Sequence, residues 1–152
     1  MMESENESID IIKKIVGLGL ILLSIYLALE PLKAIINLDI KGFLYASLKA
    51  VYSIPAFYLG IYLIVGKEAF AKFLLSNILD FIGMLSYIIP GFAEISDVVW
   101  APVQSFVVYK LYGYKKGAIL SGAEEILPGT DIIPSATILW LYDQYKKAVE
   151  KG

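Results

Sequence analysis

Residues 117–147 read GAILSGAEEILPGTDIIPSATILWLYDQYKK, and the punctuation of this stretch decides the fold. Pro128 and Gly129 cut it in two, because proline interrupts the helical hydrogen-bond ladder and glycine permits a reversal. The apolar piece before the cut, 118–127, spans about 15 Å as a helix, and the piece after it, 131–142, about 18 Å. Each is about half of a ~30 Å hydrocarbon core. The segment, taken over 117–145, is therefore either one broken span or a re-entrant hairpin with both ends on one side.

Working outward, longer apolar runs precede it. Residues 15–29 (IVGLGLILLSIYLAL) extend to a span over 9–30 if Ile9 to Ile12 and the snorkelling stems of Lys13 and Lys14 are included. Glu30 and Pro31 close that span. The linker 31–42 keeps Leu32, Ile35, Ile36 and Leu38 among polar residues, as an interfacial helix does. A second span covers 43–66, with a kink expected at Pro55, and a third covers 69–89, stopped by Pro90 and Gly91. The fourth, 92–112, opens with Glu94 and Asp97 and ends in Tyr109, Tyr112 and Tyr114 beside Lys110, Lys115 and Lys116, an aromatic–basic boundary suited to a membrane interface. The expected architecture is an all-α integral membrane protein: four transmembrane helices plus a C-terminal broken or re-entrant hairpin, one membrane domain over 1–152. The acidic, Ser-rich residues 1–8 are expected to be a disordered tail. They lack the positive n-region of a secretory signal, so the first span is read as a retained anchor.

Composition supports the same class. Of 152 residues, 58% are hydrophobic and only 18% charged, and the mean hydropathy is +0.68. All 13 basic residues are Lys, and Arg, His and Cys are absent. That excludes thiolate nucleophiles, disulfides, zinc fingers and imidazole acid–base chemistry, together with the bidentate Arg clamp for phosphate. A net charge of −2 leaves no footprint for nucleic acid. With four spans and a re-entrant segment, 10 of the 13 lysines share one side, whereas a crossing last segment splits them 7 to 6. The positive-inside bias favours re-entry, with both termini cytoplasmic in a multi-pass cell-membrane protein. Ile89-Pro90-Gly91 recurs as Leu127-Pro128-Gly129, a weak echo of paired construction.

Six carboxylates lie within the apolar segments: Asp80, Glu94, Asp97, Glu124, Glu125 and Asp131. No Lys falls within 73–109 or 117–142. A carboxylate at a helix centre costs roughly 2.5–3.5 kcal/mol on insertion scales, so six facing lipid would cost about 15–20 kcal/mol. They are expected to face one another, water, a proton or a cation. Some have bland explanations: Glu94 and Asp97 suit a helix N-terminus after a Pro-Gly turn, and Thr130 with Asp131 reads as an N-cap. Glu124 and Glu125 sit near a helix C-terminus, where the dipole opposes negative charge. Beside the breaks at Pro90, Gly91, Pro128 and Gly129, the cluster points to a site for a hard cation (Na⁺, Ca²⁺, Mg²⁺ or Mn²⁺) or a proton in a small transporter or channel subunit. A homo-oligomer, most simply a dimer, is expected because four spans enclose little. The alternative is a structural or assembly protein whose carboxylates hydrate turns. Catalysis ranks last, since only carboxylates, Lys, Ser and Tyr are available, although a carboxylate-held Mg²⁺ acting on lipid is conceivable.

The strings EISDVVWAP at 94–102 and EEILPGTDIIP at 124–134 resemble a family of small uncharacterised prokaryotic membrane proteins. The resemblance covers roughly 80–142. It implies that Glu94, Asp97, Trp100, Glu124, Glu125, Pro128, Asp131 and Pro134 belong to a family pattern, and it attaches no activity to them.

Overall fold

The computed structural model describes residues 2–85, 93–127, 130 and 133–151, with side chains described over 6–84, 99–127, 130 and 133–150. These residues form helices and no strand: α1 (Met2–Ile36), α2 (Ile40–Ala50), α3 (Ser53–Leu85), α4 (Ala93–Tyr112), α5 (Lys115–Glu124) and α6 (Ser135–Lys151). An all-helical chain is what an apolar sequence in lipid requires, since each helix satisfies its own backbone. Among the described residues, Asn6–Ile36 and Ile40–Met84 are long and apolar enough to cross a membrane.

Several boundaries differ from the sequence expectation. Helix α1 already begins at Met2, where a disordered tail was expected, and it runs through Pro31 to Ile36 rather than stopping at Glu30. Proline removes one ladder bond near the helix end, and packing against α2 offsets that loss, including an ion pair at 3.7 Å between Lys49 and Glu30. The chain then reverses at Leu38, which adopts a positive φ of 53°. Asp39 caps α2 by accepting a hydrogen bond from the Gly42 amide at 2.9 Å. The proposed linker is thus the end of one helix and the start of the next. Residues 51 and 52 form a turn between α2 and α3. The cause is Pro55, whose ring clashes with the carbonyl four residues earlier, that of Val51. Gly66 interrupts α3 with φ 78° and ψ 175°, next to the expected boundary between the second and third runs. The pieces on either side of the C-terminal break also shift: α5 ends at Glu124 and α6 begins only at Ser135.

The chain divides into two compact units, Met1–Phe70 and Ala71–Gly152. In the first, α1 and the early part of α3 run antiparallel. They come close at Gly17 and Gly60, where a Cβ added to either glycine would lie 2.7 Å from the other's carbonyl oxygen. Only glycine permits that backbone contact. Large apolar side chains such as Ile15, Leu22, Ile25 and Leu59 point outward, as lipid-facing residues do.

In the second unit, the end of α3 and helices α4, α5 and α6 alternate in direction. Gln104 meets Ser121, and Ala101 meets Gly122, so α4 and α5 form an antiparallel hairpin about Gly113 (φ 74°). Ser121 meets Ser135 and Tyr114 meets Tyr142, so α5 and α6 are antiparallel as well. Phe73 packs against Trp140 with ring centroids 4.7 Å apart, and Asp80 lies beside Ala136, which runs α3 antiparallel to α6. Small residues set the α4–α5 spacing: a Cβ on Gly122 would strike the Ser105 hydroxyl and lie 2.6 Å from the Ala101 carbonyl oxygen.

Candidate functional site

The interior of the second unit is polar. Ser76, Asp80, Gln104, Ser121, Glu124, Glu125 and Ser135 are all buried alongside Ala101, Val108, Ala136 and Trp140. One hydrogen-bonded chain links three helices. The Trp100 indole donates to Gln104 Oε1 at 2.8 Å, Gln104 Nε2 donates to Ser121 Oγ at 3.1 Å, and Ser135 Oγ donates to Ser121 Oγ at 2.8 Å. A second group closes the other end, where Lys72 Nζ donates to the Leu111 carbonyl at 2.8 Å and the Ser76 and Tyr112 hydroxyls lie 2.5 Å apart. Polar side chains in a water-poor interior are costly unless they bond to one another, so these pairs fix how the helices face.

Asp80 has a definite structural role. Its Oδ1 accepts from the Ala136 amide at 2.9 Å, and its Oδ2 accepts from the Thr137 amide at 2.9 Å and the Thr137 hydroxyl at 2.5 Å. Ala136 and Thr137 are the second and third residues of α6, whose first amides have no intrahelical acceptor. A carboxylate on α3 thus does the work of an N-cap for a helix 56 residues further along the chain, and its charge meets the positive end of that helix dipole. Pro134 precedes the helix and offers no side-chain acceptor of its own, so the cap comes from another helix.

Glu124 and Glu125 lie at the end of α5, 7% and 3% exposed. Glu125 rests against the backbone of Gly83 on α3, where a Cβ would come within 2.5 and 2.6 Å of its two carboxylate oxygens. Thr130 closes the end of α5 by donating its hydroxyl to the Glu124 and Leu127 carbonyls, at 2.5 and 2.7 Å. The structure therefore brings Asp80, Glu124 and Glu125 to the same end of the unit. Glu94 and Asp97 belong to the first turns of α4, with side chains outside those described, and Pro90, Gly91, Pro128, Gly129 and Asp131 lie outside the described residues. Among the described residues, no group of three or more carboxylates is arranged to hold a metal ion.

Sequence reasoning passed over Gln104, Ser121 and Gly83. Gln104 is fully buried inside an otherwise apolar run, and that placement was its one local signal. Asp143, expected outside the apolar runs, is also buried; it accepts from Lys147 Nζ at 2.6 Å and from the Tyr114 hydroxyl at 3.5 Å.

No family profile matches the chain, and no solved structure matches it. It is 35% identical over 77 residues to a protein of Dictyostelium discoideum named as an uncharacterised transmembrane protein, its membrane character itself being inferred. The match covers 49% of this chain, and the chain spans 36% of the length of that relative. The similarity, together with the two apolar helical stretches, supports a membrane location. The relative is eukaryotic, so the restriction of the resemblance to prokaryotes is not supported.

Proposed function

We propose that this is a multi-pass membrane protein that binds and releases a proton or a small hard cation at Glu124 and Glu125, as part of a transporter or channel. The observation that carries this is the burial of two carboxylates, consecutive in sequence, where α5 ends, that of Glu125 lying against the backbone of Gly83. A buried carboxylate loses hydration as an anion, and a proton or cation relieves that cost at each of the two. Asp80 serves in this scheme as a fixed anchor, since its oxygens already accept three hydrogen bonds. A pair of carboxylates suits a proton; Na⁺, Ca²⁺, Mg²⁺ or Mn²⁺ would need further oxygens, for which Glu94, Asp97 and Asp131 are the candidates.

The topology belongs to the same proposal: four spans, a re-entrant α5–α6 hairpin, both termini cytoplasmic, and assembly into a homo-oligomer. The 45 residues of Ile40–Met84 would measure about 67 Å as a straight helix, over twice a ~30 Å core. The break at Gly66 supports two crossings there. The antiparallel α5 and α6 support re-entry.

A structural or assembly role is the second reading, favoured by the capping of α6 by Asp80 and by the Trp100–Gln104–Ser121–Ser135 chain. Thermal melting of the purified protein in Na⁺, Ca²⁺, Mg²⁺, Mn²⁺ and across pH separates the two. The exchange site predicts a midpoint that moves with pH or with one cation and stops moving in Glu124→Gln and Glu125→Gln. A wild-type midpoint that ignores every cation and pH ends the proposal in favour of the structural role.

A further inference from the structure

In the first unit, a cavity of about 470 Å³ is lined by Asp10, Lys13, Lys14, Lys67 and residues 62–66. It lies where the run 15–29 begins, just after Lys14, and where the apolar stretch of α3 that precedes Lys67 ends at Gly66. Only Lys14 has its charge matched, by Asp10 at 2.6 Å. Lys13 and Lys67 are exposed and form no ion pair among the described residues. Three ammonium groups and one carboxylate therefore leave a net positive cavity, walled by Tyr62 and by the helix interruption at Gly66. Lysines near the end of a span snorkel to the lipid headgroups and attract anionic ones.

We propose that Lys13, Lys14 and Lys67 bind a phosphate group in this cavity, supplied by the headgroup of an anionic phospholipid. Lysine is suited to this as a point charge on a flexible stem, and the cavity is large enough for a phosphodiester and its glycerol. The proposal is independent of the carboxylates in the second unit.

The test uses the full chain in detergent and counts lipids retained in native mass spectrometry with phosphatidylglycerol or phosphatidylcholine. Inorganic phosphate in a thermal melt is a separate arm. The expected result is preferential retention of phosphatidylglycerol, weakened at least fivefold in Lys13→Gln/Lys67→Gln and restored in Lys13→Arg/Lys67→Arg. Lys33→Gln/Lys41→Gln, which removes two lysines elsewhere in this unit, should leave retention unchanged. Stabilisation by inorganic phosphate alone, lost in the same Gln variant, would keep the phosphate site but overturn the lipid as its source. Equal retention of both lipids without a phosphate response, or equal loss in the Lys33/Lys41 control, would overturn the proposal.

Discussion

Replacing Asp80 tests whether this carboxylate is an anchor or a ligand. Asp80→Asn keeps one oxygen acceptor but turns an amide NH₂ toward a donor, so at least one of the three hydrogen bonds from Ala136 and Thr137 is lost. Hydrogen bonds to charged groups contribute about 1.5–3 kcal/mol each, so about 2 kcal/mol is expected. Asp80→Ala removes all three and the favourable charge at the α6 N-terminus, for at least about 5 kcal/mol. At ~2–4 °C per kcal/mol for a chain of this size, the midpoints should fall by about 4–8 °C and by at least about 10–20 °C. Trp140 is a suitable reporter, since it is buried on α6 against Phe73. Intrinsic fluorescence melts of the purified variants supply the measurement. Loss of a cap predicts the same decrease in every salt. An unchanged or raised midpoint in Asp80→Asn, or a decrease that appears in only one cation, would refute the anchor.

Two other substitutions test the packing. Gly17→Ala should destabilise by about 1–3 kcal/mol, because its Cβ would meet the Gly60 carbonyl oxygen at 2.7 Å and Ile64 Cγ1 at 2.8 Å. Gly19→Ala, with nothing within 4 Å of its Cβ, should be neutral or stabilising in the same melt, and equal behaviour of the two would contradict the α1–α3 contact. Gln104→Leu should cost about 2 kcal/mol, since the Trp100 indole and Ser121 both lose their partner, and Trp100 emission should change with it. A midpoint within about 1 °C of wild type, against the about 4–8 °C that 2 kcal/mol predicts, would mean the chain through Gln104 carries no stability.

Local sequence sufficed for helicity and membrane character, because lipid offers the backbone no partner and long continuous apolar runs close their hydrogen bonds within helices. The breaks near Gly66 and Pro55 were legible for a similarly local reason: positive φ and a missing amide are properties of the residue itself. Pro31 was misleading by the same logic, since its one lost bond is outweighed by contacts with α2 that no window around residue 31 contains. The polar residues were harder. Composition identified Asp80, Glu124 and Glu125 as expensive to bury, but not what each meets. Only the folded chain puts the Asp80 carboxylate on the first amides of α6, Glu125 on the bare backbone of Gly83, and Gly17 on Gly60. Those contacts join residues 42 to 57 positions apart, and their energies depend on distances of a few ångströms that arise when helices pack. Periodicity and composition report the cost of a buried charge; packing selects its partner.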